Sequence, residues 1–403
     1  MMNILVLNCG SSSLKYQVLD MKNEKEYSLL AKGLVERIGL EVGIITHKVP
    51  GKENYVVEKE IANHTEGIKD VLELLVDADK GVLKSLSEIN AVGHRVAHGG
   101  DLFSESAVIH SEVIEGIERC CELAPLHNPA NLLGIKAVRS LMPEIPQVAV
   151  FDTSFHQTMP DYAYMYAIPY EYYVVDKVRR YGFHGTSHKF VAKKGAEMFG
   201  VDLNNSKIIT CHLGNGGSVT AILNGKSVDT SMGFTPVEGV VMGTRCGSID
   251  PGVVTYLQGK YQMDAAQVSN VLNKKSGFQG ISGVSSDCRD VTNAAQEGND
   301  RARLALDMFC YSVRKYIGAY AAAMNGVDMI IFTGGIGENH VLARKMITTQ
   351  LGYLGVEFNE AVNNETRGAD ALISTENSKV KVAVVTTDEE LVIARDTMRL
   401  TTK

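Results

Sequence analysis

The stretch ILVLNCGSSSLKYQVL, Ile4 to Leu19, reads as an apolar strand, a turn of small residues and a second strand. The stretch IITCHLGNGGSVTAIL, Ile208 to Leu223, repeats this order about half a chain later, with Gly10 aligned to Gly214. Such a repeat indicates two related halves, each opening with a β-hairpin. Because a strand, a glycine turn and a second strand are common in proteins, coincidence remains the alternative.

Helical and strand-like patterns alternate through the rest of the chain, which predicts an α/β protein with mixed sheets. Apolar residues spaced by three and four between Leu306 and Met324 predict one long helix, with Asp300 as N-cap and Gly326 at C′. The segment VAVVTTDEELVIARDTMRL predicts a strand followed by a helix that begins with a capping box at Thr387.

Composition narrows the class of protein. A length of 403 residues predicts two domains, and a net charge of −7 without a basic tail argues against nucleic acid as the main partner. The chain opens on a strand-like run, which predicts no signal peptide, and no apolar run reaches membrane-spanning length. Seven cysteines without a Cys-x-x-Cys pair predict reduced thiols in the cytoplasm and no structural zinc.

Two turns of small residues, GSSS from Gly10 and GNGGS from Gly214, are candidate phosphate-binding loops. Small side chains let backbone N–H groups and hydroxyls close around phosphate oxygens. A plain hairpin turn is the alternative for each, but two equivalent turns together favour a triphosphate. Other nucleotide signatures fail: GKS at Gly225 has Thr220 where a P-loop needs glycine, and no G-x-G-x-x-G occurs.

The stretch TGGIGENH, Thr333 to His340, follows the apolar run MIIF. Its glycines leave backbone amides bare, and we expect a helix to begin near Asn339. Bare amides at a helix N-terminus attract anions or hydrogen-bond a nucleotide. A tight strand-to-helix connection is the alternative.

Charged side chains in small-residue loops or at strand ends are further candidates. Arg95, Arg245 and Arg289 lie in such loops, and arginine suits bidentate contacts to carboxylates and phosphates. Asp152 and Glu389 follow apolar strands, where carboxylates can hold Mg²⁺ directly or through its waters. Ion pairs are the alternative for the arginines, and a turn cap or a helix-dipole contact is the alternative for the acids.

Three histidines lack the spacing of metal ligands: His127, His184 and His212. His184 is the stronger functional candidate because glycines bracket it, whereas a structural role is favoured for the other two. The helix that follows His184 is predicted to be capped by Thr186 or Ser187.

Nine motifs in a fixed order closely resemble the acetate kinase family over nearly the whole chain. They are NILVLNCGSSSLKYQ, GHRVAHGG, VFDTSFH, RRYGFHGTSH, HLGNGGS, DTSMGFTPVEG, TRCGSIDPG, SSDCRD and TGGIGEN. The resemblance places the chain in the acetate and sugar kinase/Hsp70/actin superfamily. It implies two duplicated domains of the actin-like ATPase (ribonuclease H-like) fold flanking a nucleotide cleft, residues 1–152 with 390–403 and residues 153–389.

The resemblance also implies an activity: reversible, direct in-line transfer of the ATP γ-phosphoryl group to acetate, giving acetyl phosphate and ADP. The implied metal is Mg²⁺, with Mn²⁺ as an alternative. The implied assembly is a homodimer in the cytoplasm, and the implied pathway is acetyl-CoA biosynthesis. No nucleic acid or membrane partner is expected. A carboxylic acid with a pKa of about 4 is already ionised at neutral pH and needs no general base. We therefore predict that Asp152 organises the metal and does not accept a proton.

Residue roles follow from the same resemblance. The implied catalytic residues are Asp152, Arg95, Arg245 and His184. The implied substrate-binding residues are Arg95, Ala97, Leu126, Phe183 and Pro236. The implied nucleotide-binding residues are Asn8, Ser11, Ser13, Lys15, His212, Asn215, Gly216, Asp287, Arg289, Gly335, Ile336 and Asn339. The implied metal ligands are Asn8, Asp152 and Glu389.

Two positions depart from the family pattern. Cys288 stands where most relatives carry Phe, and Ala97 stands where acetate kinases commonly carry Val. The smaller Ala97 favours propionate kinase as the nearest alternative, since one methylene in an apolar pocket is worth about 1–3 kcal/mol. A nucleotide-driven interaction protein would not need Arg95 and Arg245, and a sugar kinase would need a general base and a polar pocket.

Overall fold

The computed structural model describes residues 2–402, which form two compact units. The first unit covers the chain up to Ser154 and resumes at Asp388, and the second is Phe155–Thr387. Each unit has one mixed β-sheet with α-helices packed on its faces. The predicted α/β fold class is therefore confirmed. Within the described residues, none of the helices combines the length and the apolar character needed to cross a membrane.

The first unit contains an eight-stranded sheet in the order β5-β4-β3-β2-β1-β6-β8-β7. Its strands are β1 (Met2–Cys9), β2 (Ser13–Met21), β3 (Tyr27–Glu36), β4 (Gly43–Lys48), β5 (Tyr55–Lys59), β6 (Ile89–Val96), β7 (Ala107–Val108) and β8 (Gln147–Phe151). Its helices are α1 (His64–Leu75), α2 (Ser111–Arg119), α3 (Asn128–Leu141) and the C-terminal helix (Glu389–Thr401).

The second unit contains a six-stranded sheet in the order β11-β10-β9-β12-β14-β13. The strands are β9 (Lys207–Leu213), β10 (Gly217–Leu223), β11 (Lys226–Thr230), β12 (Met329–Thr333), β13 (Ala371–Leu372) and β14 (Lys381–Val384). The helices are α4 (Asp161–Tyr164), α5 (Glu171–Asp176), α6 (Gly185–Phe199), α7 (Pro251–Tyr261), α8 (Ala265–Lys274), α9 (Gly277–Ser282), α10 (Cys288–Gln296), α11 (Asp300–Ala323), α12 (Gly334–Asn339), α13 (Val341–Thr348) and α14 (Glu360–Glu365). Short 3-10 helices in the chain are Leu86–Glu88, Ser154–Thr158, Leu203–Asn205 and Gly352–Leu354.

The two sheets share one topology. In each, the opening strand is antiparallel to the next strand and parallel to a later one, as β1 is to β2 and β6, and β9 to β10 and β12. In each, a short edge strand, β7 or β13, runs antiparallel to the last parallel strand. Strands β4 and β5 extend only the first sheet. The aligned hairpins of the sequence repeat thus open two copies of one fold.

Alternation along the opening strands explains how both sheet faces are covered. In β1, Ile4 and Val6 pack with Ile393 of the C-terminal helix, whereas Leu5 and Leu7 join a core shared with residues of α1 and α3. The second sheet has the same arrangement, with α11 on one face and α6 on the other. A strand buried on both faces is apolar throughout, as the sequence of β1 is.

The ends of the long helix were each predicted one residue too late. The N-cap of α11 is Asn299, not Asp300. At the other end Asn325 adopts φ +55°, so it takes C′ and moves Gly326 to the next position. The N–H of Gly326 then donates to the carbonyl of Ala321 at 2.7 Å, as in a Schellman motif. Asparagine tolerates the left-handed region better than most residues, which the prediction overlooked.

Two other helix starts differ in detail from the prediction. The N-cap of the C-terminal helix is Asp388, whose carboxylate accepts from the N–H of Leu391 at 3.0 Å, and not Thr387. A helix does begin near Asn339, since α13 starts at Val341, but the short helix α12 from Gly334, directly after β12, was not predicted. The glycine-rich turn is therefore itself the first turn of a helix.

Candidate active site

In the first unit, three predicted site residues meet at the carboxyl ends of parallel strands. Asn8 lies near the end of β1, Arg95 near the end of β6, and Asp152 directly after β8. Arg95 donates from Nε and Nη2 to the two carboxylate oxygens of Asp152 at 3.1 and 2.5 Å. Its Nη1 donates to Oδ1 of Asn8 at 3.2 Å. Adjacent parallel strands thus build the cluster from positions far apart in sequence.

The Arg95–Asp152 pair is held away from water but is not closed to a ligand. The side chain of Asp152 is 2% exposed and that of Arg95 is 25% exposed. The pKa of the Arg95 guanidinium is raised, chiefly by the charge of Asp152, so it stays a cation. A guanidinium has five N–H donors, and the three bonds described above leave two of them for an anion.

Glu389, the first residue of the C-terminal helix, brings a second carboxylate to this cluster. Burial and then the charge of Asp152 raise the pKa of Glu389 to about 7, while Arg95 and Lys15 oppose the rise. Negative charge is therefore in excess, and a divalent cation would relieve it. Among residues 2–402 no group of three or more His, Cys, Asp or Glu side chains could hold a metal ion. The chemistry fits Mg²⁺, which proteins often bind through one or two carboxylates together with water and phosphates.

We expect Glu389→Gln to stabilise the metal-free chain at pH 8. The pKa of Glu389 rises from 4.5 to about 7 on folding, so the folded state holds a proton that the unfolded state releases. Stability from this group is therefore full below pH 4.5 and falls as the pH rises to about 7. Removing the charge is expected to recover about 1–3 kcal/mol of unfolding free energy, measured by urea titration with chelator present.

Glu112→Gln is the matched control, because Glu112 is an exposed acid in the first turn of α2 in the same unit. Added Mg²⁺ should stabilise the parent chain and have a smaller effect on the Glu389 variant. An equal stability of variant and parent from pH 5 to 8 would show that Glu389 is not crowded by another carboxylate.

The remaining predicted residues of the first unit lie in exposed turns or in the core. Ser11 and Lys15 are exposed and Ser13 is half-buried, around a turn closed by the N–H of Gly10 donating to the carbonyl of Ser13 at 2.8 Å. Ala97 is buried at the end of β6, and Leu126 is 61% exposed.

In the second unit, the turn after β9 passes between a histidine and an arginine. A Cβ added to Gly216 would lie 3.2 Å from Nη1 of Arg245 and 3.8 Å from Nε2 of His184. The turn is closed by the N–H of Gly214 donating to the carbonyl of Gly216 at 3.0 Å. Asn215 is fixed beside it, since its carbonyl accepts from the N–H of Gly243 at 2.9 Å. Because Gly216 has no side chain, the Arg245 guanidinium and the His184 imidazole can both lie close to this turn.

Arg245 is a half-buried cation with neutral partners. Its Nη1 donates to the carbonyl of Pro236 at 3.3 Å and points to the sulfur of Met242 at 3.7 Å. No carboxylate within residues 2–402 forms an ion pair with it, in contrast to Arg180, which pairs with Glu238 at 2.6 Å. Burial lowers the pKa of Arg245. A buried charge without a counter-ion is costly, so this position suits an anionic ligand.

His184 is the N-cap of α6, which starts earlier than the predicted cap at Thr186 or Ser187. It adopts φ 57° and ψ 21°, a left-handed conformation that is unfavourable for a residue with a side chain. Its ring stacks on that of His212, with centroids 4.2 Å apart, and its Nδ1 hydrogen-bonds to Ser218 Oγ at 2.8 Å. The strained turn thus delivers an imidazole to the Gly216 loop.

A cavity of about 550 Å³ lies beside this loop in the second unit. Six of the predicted nucleotide contacts line it, and Gly214, Ser286, Cys288 and His340 complete its wall. The six are Asn215, Asp287, Arg289, Gly335, Ile336 and Asn339. Asp287 and Arg289 form an ion pair at 2.6 Å at its edge. Residues from three separate segments of the chain thus line one space, and their binding of a nucleotide stays a prediction.

Cys288 belongs both to this cavity wall and to the core of the unit. It is 4% exposed, and burial raises the pKa of its thiol to about 12. The thiol is therefore neutral and unreactive, and it offers no aromatic face to a ligand.

Sequence reasoning missed Glu338, which holds the glycine turn in place. Its Oε1 accepts from the N–H of Gly334 and from the N–H of Thr387, both at 3.0 Å. The side chain thereby joins the start of α12 to the end of the strand segment after β14. An acid directly after a glycine-rich turn was a visible signal for this, because the first amides of a helix need acceptors.

The comparison with a family model agrees with the ordered motifs of the sequence. The model described as the acetokinase family matches residues 3–395. The chain belongs to the acetokinase family. It is thus a kinase, a transferase with a carboxylate as acceptor.

Individual relatives support this placement. The chain is 58% identical over 400 residues to the acetate kinase of Caldanaerobacter subterraneus subsp. tengcongensis, covering 99% of both chains. It is similar to the crystal structure of Porphyromonas gingivalis acetate kinase, with a TM-score of 0.95, 50% identity and coverage of 99% and 100%. A propionate kinase from Francisella tularensis subsp. tularensis matches with a TM-score of 0.92 and 42% identity over 99% and 100%.

Proposed function

We propose that this member of the acetokinase family transfers the γ-phosphoryl group of ATP directly and reversibly to acetate, giving acetyl phosphate and ADP. The observation that carries the proposal is Arg245, a half-buried cation with which no carboxylate of the described residues pairs, next to His184 at the Gly216 turn. Two anions must approach each other in this reaction, and fixed positive groups offset their repulsion.

The chemistry assigns one task to each group. The two spare N–H donors of Arg95 hold the acceptor carboxylate, which attacks without a general base because it is already ionised. Arg245 and Nε2 of His184 donate to the equatorial oxygens of the transferring group. Asn8, Asp152 and Glu389 hold Mg²⁺, or Mn²⁺ in its place. The metal, when bound, supplies positive charge to the phosphate oxygens.

The nucleotide occupies the cavity of the second unit in this proposal. Its base and ribose lie against Asp287, Arg289, Gly335, Ile336 and Asn339. Its phosphates extend to the two turns of small residues, where the donors are Asn8, Ser11, Ser13, Lys15, His212, Asn215 and Gly216.

The acyl tail is assigned to a small apolar pocket of Ala97, Leu126, Phe183 and Pro236. Propionate kinase activity is the less favoured alternative, because the relatives named acetate kinase are closer in identity, at 58% and 50%, than the propionate kinase at 42%. Ala97 nevertheless lacks the methyl groups of valine, so we expect propionate to be used measurably.

A hydroxylamine trap tests the proposal. Purified chain with ATP, Mg²⁺ and acetate should form acetyl phosphate, which hydroxylamine converts to a coloured hydroxamate. The values of kcat/KM for acetate, propionate and butyrate should fall in that order, by about 5–100-fold per added methylene. Absence of hydroxamate with all three acids would exclude the function, and a preference for propionate would favour the alternative.

The family resemblance also underlies a proposed assembly, in which the chain consists of two duplicated domains, for which the sequence suggested the bounds 1–152 with 390–403 and 153–389, and two copies of the chain form a cytoplasmic dimer. Helix α7 supports the dimer, since none of its residues is buried although it carries Val253, Tyr256 and Leu257. Sedimentation analysis should give twice the chain mass of 43.8 kDa. All seven cysteines are free thiols, which agrees with a reducing compartment.

A further inference from the structure

Behind His184 lies a row of buried polar side chains that has no assigned role. Ser218 Oγ is 2.8 Å from Nδ1 of His184 and 2.7 Å from Nε2 of His188. On the far side of the second ring, Nδ1 of His188 is 2.7 Å from Oγ1 of Thr210. Ser218, His188 and Thr210 are each fully buried. The row therefore runs from the core of the second unit to the proposed phosphoryl site.

Local structure fixes the geometry of this row. His184 caps α6 and His188 follows one turn later, so both rings lie on the same face of the helix. Thr210 is on β9, one of the strands on which α6 packs, and Ser218 is on β10, the antiparallel neighbour of β9. The row is thus clamped between one helix and two central strands, which holds its distances fixed.

The donor and the acceptor in each hydrogen bond of the row can be assigned by beginning at Thr210. Within residues 2–402, the hydroxyl of this buried side chain has one hydrogen-bond partner, Nδ1 of His188. A buried O–H without an acceptor is costly, so the hydroxyl donates and Nδ1 of His188 accepts. Burial keeps the pKa of His188 well below its usual value, so the ring is neutral. Its single proton therefore lies on Nε2.

The same reasoning assigns the donors and acceptors in the hydrogen bonds of Ser218 and His184. Nε2–H of His188 donates to Ser218 Oγ, and the hydroxyl proton of Ser218 then has Nδ1 of His184 as its acceptor. A proton on Nδ1 of His184 would aim two N–H groups at Ser218 Oγ and leave the serine proton without an acceptor among the described residues. The Arg245 cation, across Gly216, adds to the cost of a charged imidazole there.

We infer that Thr210, His188 and Ser218 are positioning residues that hold His184 as the neutral tautomer with its proton on Nε2. This nitrogen lies on the side of Gly216 and Arg245. His184 thereby presents an N–H donor to the phosphoryl group without having to take up a proton. The catalytic part of the inference rests on the proposed function, but the tautomer itself does not.

The tautomer can be measured without catalysis. Two-bond ¹H–¹⁵N correlations of histidine-labelled chain distinguish a protonated Nε2 from a protonated Nδ1, and His184→Asn assigns the signal. We expect the Nε2–H pattern in the parent chain and a mixed pattern in Thr210→Val, which keeps the volume but loses the hydroxyl. A protonated Nδ1 in the parent chain, or an unchanged pattern in Thr210→Val and Ser218→Ala, would overturn the inference.

Kinetics supply the second readout. Ser218→Ala is expected to lower kcat by about 10–100-fold, and Thr210→Val by about 3–30-fold, with KM values within about twofold. Thr210→Ser should restore kcat because it restores the hydroxyl. Thr220→Val is the matched control, since Thr220 is a buried threonine on β10 whose hydroxyl bonds to Thr230 at 2.8 Å. A loss of kcat in the control equal to that in Thr210→Val would contradict a specific role of the Thr210 hydroxyl.

The two readouts distinguish a failure of the inferred His184 tautomer from a failure of the proposed function. If the Nε2–H pattern is present but no acid accepts phosphate, the proposed function fails and the tautomer remains. If phosphoryl transfer occurs but the Nε2–H pattern is absent, the inferred role of Thr210, His188 and Ser218 is wrong and the proposed function stands.

Discussion

Replacing Arg245 with alanine is expected to lower kcat/KM for acetate by about 10³-fold, the largest single effect that the structure predicts. The guanidinium is half-buried, lacks a carboxylate partner within residues 2–402 and lies beside Gly216 and His184. If the counter-ion of Arg245 is the transferring phosphoryl group, removing the guanidinium takes away a preorganised donor and a positive charge at the place where negative charge is concentrated. Single-turnover rates and steady-state kinetics would measure the loss.

Two variants bracket this result. Arg245→Lys keeps the charge without the planar fork, and we expect about a 10²-fold loss, because a point charge cannot reproduce bidentate contacts. Arg303→Ala removes an exposed arginine from α11 of the same unit and should leave activity unchanged. We expect Arg245→Ala to have an equal or higher free energy of unfolding than the parent, because a costly buried cation is removed, so its loss of activity does not come from unfolding. Activity within tenfold of the parent would remove the main support for the proposed function.

Replacing Asp152 with asparagine is expected to lower kcat by about 10²–10³-fold and to raise the Mg²⁺ concentration needed for half-maximal rate. The carboxylate is buried, bidentate with Arg95 and electrostatically coupled to Glu389. Asparagine keeps the shape but removes the charge that orients the arginine and attracts the cation. Rate measurements over a Mg²⁺ titration at several pH values would separate the metal role from a proton-accepting role.

Asp70→Asn is the matched control, since Asp70 also pairs with a cation in the first unit, Lys59 at 2.7 Å, away from the cluster. It should change neither the rate nor the Mg²⁺ dependence. The metal role of Asp152 would be wrong if Asp152→Asn merely lost a basic limb of the pH–rate profile while its Mg²⁺ dependence stayed that of the parent.

The sequence predicted features that depend on strong local patterns. The hairpins around Gly10 and Gly214 were visible because apolar strands and small-residue turns are continuous in sequence. Asp152 and Glu389 were found because strand ends and helix starts carry active groups in α/β proteins. Their meeting with Arg95 needed the order of β1, β6 and β8 in the sheet, which no local pattern encodes.

Other features depend on small local energies or on distant packing. Caps one residue apart differ by about 1 kcal/mol, so the choice of Asn299 over Asp300 was beyond a pattern of spacings. The role of Glu338 required the position of Thr387, 49 residues later. Ser218 and Thr210 look like ordinary strand residues until α6 places His184 and His188 above them.

The course of the chain through its two units has a consequence for biosynthesis. The first unit is interrupted at Ser154 and finished only by residues from Asp388 onward, whose helix covers one face of the first sheet. A ribosome must therefore translate all of Phe155–Thr387 before Ile4 and Val6 can be shielded from water. The second unit is continuous in sequence, so during translation it can fold to completion first, and a transcript truncated before codon 389 should yield a folded second unit attached to an aggregation-prone first sheet.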